Sequence, residues 1–245
     1  MKRFPFAMLL FCAAIFFVSC NNSSDNAEKT TEAKTDSPAT KTEPVPVNTV
    51  VTTPTNMVSV THKVKDFAKW LPMYEAHDSM KLANGLHNYV VSRGFTDSNT
   101  LMVALKADDI AKAKKFMSDP ALKKAMQQSG VTGTPMVSFM TAVWQDTAML
   151  PAGTLRSRTM FSVKDWDAWF KSFQDGKQER MDNGIVDRVI GHDADDNKKV
   201  ILITAVTDTA KAFAYYKSDA LKKRRAAGGV IGEPQRFLFT IAKRY

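Results

Sequence analysis

The chain repeats itself. Displaced by 99 residues along its own length it aligns without a gap: VKDFAKW at 64–70 falls on VKDWDAW at 163–169, and Asn84-Gly85 falls on Asn183-Gly184. ALKK at 121–124 falls on ALKK at 220–223, and GVTGTP at 130–135 falls on GVIGEP at 229–234. Conservative pairs fill the intervals, among them Phe67 with Trp166, Tyr74 with Phe173 and Leu86 with Ile185. A period this long exceeds the roughly 20–50 residues of solenoid arrays, so the repeated unit is a small domain. Whatever the first copy folds into, the second must fold into as well.

Each copy reads as the same series of elements. Met57–Val64 is β-branched and extended. Asp66 is placed to cap a helix whose apolar residues Phe67, Trp70, Leu71 and Tyr74 keep helical spacing. Pro72 is expected to kink that helix, and the second copy has no such proline. Asn84-Gly85 reads as its stop. Strands follow at 86–93 and 100–107, joined by Thr96-Asp97-Ser98-Asn99, with Asp195-Asp196-Asn197 as the turn of the second copy. A second helix over 109–117 carries Ile110, Ala113 and Met117 on one face, and Ser118-Asp119-Pro120 restarts it. Gly130 ends the helix, Gly133-Thr134 turns the chain, and Pro135 leads into a last strand at 136–144. A GxxG loop cradles phosphate when it precedes a helix; this one follows a helix and reads as structural.

The order is β-α-β-β-α-β, written twice. The predicted fold class is α+β, with ferredoxin-like repeats at 57–146 and 155–245. Helices on one face of such a sheet leave the other face bare, and two bare faces satisfy each other. The chain is therefore expected to be a monomer containing an intramolecular pseudo-dimer. VKDFxxW, the NGL turn, LKKAM and GVxGxP resemble small single-repeat bacterial proteins of the dimeric α+β barrel superfamily. That superfamily includes antibiotic-biosynthesis-type monooxygenases and haem-degrading relatives. The resemblance implies an intramolecular dimeric α+β barrel over 57–144 and 156–243. It implies no single activity, because the fold hosts many.

The N-terminus has its own organisation. Lys2 and Arg3 precede an apolar run from Phe4 to Val18, then Ser19-Cys20, which is the layout of a secretory signal at 1–19. FFVSC resembles the lipobox of bacterial lipoproteins, which implies lipidation of Cys20 and attachment to a membrane through that anchor. Cys12 falls inside the signal, so the mature chain has no internal disulfide. Residues 20–56, rich in Ser, Thr, Glu, Lys and Pro, read as a lipidated Cys and a disordered tether. The expected location is the cell envelope, lipid-anchored, on the periplasmic or surface side of the outer membrane. The formal charge of +9 is compatible with anionic small molecules; an exported chain excludes nucleic acid as a natural partner.

Few residues point to chemistry. The four histidines, His62, His77, His87 and His192, include no pair at HxH or HxxxH spacing, so no metal site is expected. No CxxCH, P-loop or GxSxG is present, and no cofactor is expected. Strict alternation over the second strand places His87, Tyr89, Val91 and Arg93 on one face, matched by Val186, Arg188, Ile190 and His192. The other face, with Leu86, Val90, Ile185 and Val189, reads as core under the helices. His62 stands where the second copy has Phe161, as expected of a semi-buried histidine. Ligands of the superfamily often lie between a sheet and its helices, which adds His62 to the ligand-binding candidates His87, Tyr89, Arg93, Arg188 and His192. No catalytic residue is assigned. The reading that follows is an envelope lipoprotein with a pocket for a small apolar or anionic ligand. The alternatives are a cofactor-independent monooxygenase-like or haem-handling enzyme, and a protein-assembly module.

Overall fold

A computed structural model of the chain describes residues 48–245; the signal, Cys20 and the tether up to residue 47 lie outside the described residues. A two-residue strand β1 (Val50–Val51) precedes the first unit. That unit comprises β2 (Thr55–Val64), α1 (Phe67–Ala76), α2 (Asp78–Ala83), β3 (Leu86–Gly94), β4 (Thr100–Ala107), α3 (Ile110–Met117), α4 (Pro120–Gln128) and β5 (Val131–Asp146). The second comprises β6 (Leu155–Val163), α5 (Trp166–Asp175), α6 (Lys177–Asp182), β7 (Ile185–Asp193), β8 (Lys199–Val206), α7 (Thr209–Lys217), α8 (Asp219–Ala227) and β9 (Val230–Arg244).

Every pairing is antiparallel. The half-sheets β5-β2-β4-β3 and β9-β6-β8-β7 join through β3–β9 at one seam and β5–β7 at the other, which closes eight strands into a ring. β1 continues the β2 side of β5, with Val50 opposite Asp146. Residues 50–51 and 55–56, read from the sequence as the end of a tether, are thus strand: the regular structure begins before Met57. The helices lie outside the ring. Val58, Val91, Leu101 and Val103 form one outer core with Trp70 and Phe116. Ile185 and Val206, then Ile190 and Val200, form its counterparts around Tyr215 and Trp169.

Local chemistry explains the boundaries. Asp66, Asp109 and Asp119 each accept a hydrogen bond from a backbone N–H of the following turn, as does Asp165 in the second unit. The first helical segment breaks at His77 and its counterpart at Gly176, which are matched positions. Pro72 therefore does not set the break; it sits inside α1, and the second unit breaks at the same place without it. Gly133 and Gly232, with φ of 71° and 69°, also differ from expectation. Instead of turning the chain ahead of a strand, they bulge a strand that has already begun: Lys63 pairs with Thr132 and Thr61 with Met136.

A second bulge corrects the face assignment of β3 and β7. Asn88 pairs with Leu105 and Val90 with Ala104, which skips Tyr89; Asp187 pairs with Thr204 and Val189 with Ile203, which skips Arg188. Beyond the extra residue the alternation is inverted. Val91 and Ile190 enter the outer cores, while Val189 faces the barrel interior.

Candidate functional site

The bulge separates the sequence candidates. His87 is exposed, and its Nε2 lies 3.0 Å from Asp108 Oδ1. Arg93 donates from Nε to the Ser98 carbonyl at 2.7 Å and lays its guanidinium 4.5 Å from the Phe67 ring centre, on the helix side. His192 meets Trp166 edge-on at 4.9 Å. His62 is 6% exposed and lies 5.4 Å from Trp70, with neither ring nitrogen hydrogen-bonded. Burial lowers its pKa to about 4. It borders a cavity of about 70 Å³ between sheet and helices, and the second unit has one of about 80 Å³ at the matching place. Tyr89 and Arg188, the bulge residues themselves, are the two candidates that share a location: both line the barrel interior.

That interior holds a cavity of about 90 Å³. Its walls are largely apolar, with Met57, Met102, Met140, Ile201 and Phe239 among them. Set in those walls are Arg156, Arg158, Arg188 and Arg244, against one carboxylate, Asp146. Arg156, Arg158 and Arg188 are 5%, 3% and 4% exposed. Arg188 donates from Nη1 to Asp146 Oδ2 at 2.8 Å and from Nη2 to the Ala148 carbonyl, leaving Nε without a partner. Asp146 also accepts from Thr49 Oγ1 at 2.7 Å, just before β1. Among the described residues Arg156 and Arg158 have no ion-pair partner, and Arg158 Nη2 is buried without a hydrogen bond. Burial lowers the pKa of Arg158 to about 10. Burial, followed by the charges of Arg188 and Arg244, does the same to Arg156. Both remain cations at neutral pH.

Arg244 is exposed at the mouth. Beside it, an open hollow of about 270 Å³ runs under the linker 149–154 and shares Arg156 and Arg244 with the cavity. The cavity and the hollow under the linker between the two units therefore share a wall.

Sequence reasoning missed Arg156, Arg158 and Arg244. A signal was present: in LRSRTMF at 155–161 the two arginines stand two residues apart on a strand, hence on one face. That face is the one the fold turns inward. Also unforeseen was a buried cation under each first helix. Lys81 lies 3.4 Å from the centre of the Tyr74 ring; at the matched positions the Arg180 guanidinium lies 3.5 Å from Phe173. Arg180 is fixed by two donations to the Asp187 carboxylate, at 2.9 and 2.6 Å. These partnered cations are structural.

No protein-family model and no curated protein matches the sequence. Solved structures do. An anthrone oxidase-like protein aligns with a TM-score of 0.53 at 14% identity, covering 78% of this chain and 92% of that one. A candidate monooxygenase from Fusobacterium nucleatum aligns with a TM-score of 0.51 at 13% identity, covering 78% and 93%. A variant of the chlorite dismutase from Candidatus Nitrospira defluvii aligns with a TM-score of 0.50 at 12% identity, covering 78% and 91%. At such identities the likeness is one of fold: two ferredoxin-like units closed into an α+β barrel.

Proposed function

We propose that the protein is a small-molecule-binding module of the cell envelope, held to a membrane by a lipid on Cys20, with its ligand inside the barrel. The observation that carries the reading is the interior cavity with unpartnered polar atoms, Arg158 Nη2 and Arg188 Nε, in its wall. A buried donor without an acceptor costs about 1–3 kcal/mol, more when charged, and a chain keeps one where function uses it. The closed ring of eight strands supports the companion reading that the chain is monomeric, since the pairing faces are already used. The anchor is tested by fractionation: Cys20→Ser should move the chain from membrane to soluble fraction.

The binding reading is tested by a native mass spectrum of the full chain purified without added ligand. It should show a monomer carrying additional non-covalent mass. Ala104→Phe, which fills the cavity from β4, should remove that mass. A dimer would contradict the closed-barrel monomer, and equal bound mass on both proteins would place the ligand elsewhere.

A second reading is an oxygenase-like enzyme that acts in a cavity between sheet and helices. His62, neutral and with both ring nitrogens free beside Trp70, favours it. Neither of these cavities, at about 70 and 80 Å³, is large enough to take a porphyrin.

A further inference from the structure

The four arginines that line the cavity and its mouth all come from the second unit. At the matched positions, 99 residues earlier, the first unit has Met57 for Arg156, Ser59 for Arg158, Tyr89 for Arg188 and Gln145 for Arg244. The apolar lining keeps its character across the same displacement, with Met102 matching Ile201, Val90 matching Val189 and Met140 matching Phe239. One wall of a pseudo-symmetric cavity is therefore strongly cationic, and the facing wall has no cation and one carboxylate, Asp146. This is not surface charge: Arg156 and Arg158 are 5% and 3% exposed and have no carboxylate partner among the described residues. Asp146, the carboxylate of the cavity, is already taken by Arg188 and Thr49.

Resting on the reading of the interior as a binding site, we infer that its ligand is a small organic oxyanion, a carboxylate on a short apolar stem. The head lies against Arg156 and Arg158 of the second unit and the stem against Met57 and Met102 of the first. Three observations select this class. Buried guanidiniums present several N–H donors in a plane and are matched by a carboxylate or similar oxyanion. A cavity of about 90 Å³ is smaller than the ~150 Å³ cavity that admits benzene, so the enclosed part of the ligand is a head group with a few carbons. Opposite, Met57 and Met102 offer no hydrogen bond and Ser59 and Tyr89 only neutral hydroxyls, so the charged group of the ligand is at the arginine end. A longer stem would leave through the hollow under 149–154.

The test is the thermal midpoint of the full chain in acetate, butyrate and sulfate, each against the same ionic strength of a bulky sulfonate buffer salt, with butyramide as the uncharged counterpart of butyrate. Butyrate should raise the midpoint saturably, as one-site binding to the folded state requires, and butyramide should not. Arg158→Met should weaken the butyrate response by about ten- to a hundredfold, the equivalent of one charge-assisted hydrogen bond. Without anions Arg158→Met should melt above the parent, because a buried unpaired charge is gone. Arg156→Met repeats the test should Arg158→Met fail to fold. A butyramide response equal to that of butyrate, abolished by Ala104→Phe, would overturn the anion inference and leave the binding cavity standing. A butyrate response that Ala104→Phe leaves unchanged would overturn both. No shift with any of the three anions, together with no gain in stability in Arg158→Met, would overturn the anion inference.

Discussion

His62 shows how one buried side chain writes a pH dependence into the fold. Burial holds its pKa at about 4, whereas an unfolded chain titrates near 6.5. Above pH 6.5 neither state binds the proton and the full stability is present. As pH falls from 6.5 towards 4, the unfolded state takes up a proton that the folded state refuses, so stability is lost across that window. The loss is on the order of 3 kcal/mol when complete. His62→Phe copies the second unit, where Phe161 packs edge-on against Trp169 at 5.4 Å. Urea midpoints between pH 7 and 4.5 should fall steeply for the parent and much less for His62→Phe. Equal slopes would show that the imidazole is solvated. The placement of His62 was legible, because an apolar residue at the matched position pointed to a buried site.

At the scale of elements, caps and stops were written plainly and bulges were not. Asp66 caps as its position indicated, because a short side-chain acceptor before an apolar helical pattern has one physical use; Asp109, read as the first residue of its helix, and Asp119 cap in the same way. Tyr89 and Arg188 both face the interior, but the residues grouped with them do not all follow. A bulge adds a residue to one strand without any composition of its own, and every residue beyond it changes face. Arg93 and His192 were grouped with them by an alternation that fails at 89 and 188; His87, ahead of the bulge, is exposed near the start of β3. The second seam makes its own prediction. A Cβ at Gly191 would lie 2.3 Å from the Thr141 carbonyl oxygen and 2.9 Å from Ala142 Cα, across the β5–β7 pairing. Gly191→Ala must part these strands and should lower stability by about 3 kcal/mol or more, in the range of severe core defects. Gly133→Ala meets nothing within 4 Å and should cost about 1–2 kcal/mol, from its positive φ alone. Thermal or urea unfolding of the two variants orders them. If Gly133→Ala were the more damaging, the ring would not depend on that seam.

For the whole molecule, duplication did two things. It supplied in one chain the partner that a bare half-sheet needs, and it released the two halves from being identical. A symmetric pair of identical chains would place every interior arginine twice. Four substitutions confined to one copy instead gave this interior arginines on one wall only, which is the condition for holding one ligand in one orientation. The repeat made the barrel legible in the sequence; the asymmetry could be read only after the fold showed which strand positions turn inward.

The anion site is tested most directly by the arginine Nε–Hε spectrum of the ¹⁵N-arginine-labelled protein, titrated with butyrate and assigned with Arg156→Met and Arg158→Met. Saturable shifts and slowed proton exchange are expected at Arg156 and Arg158, with Arg93, outside the barrel over Phe67, unchanged. Shifts confined to Arg225 and Arg236, which border the helix-side cavity of the second unit, or no saturable shift at any arginine, would rule that site out.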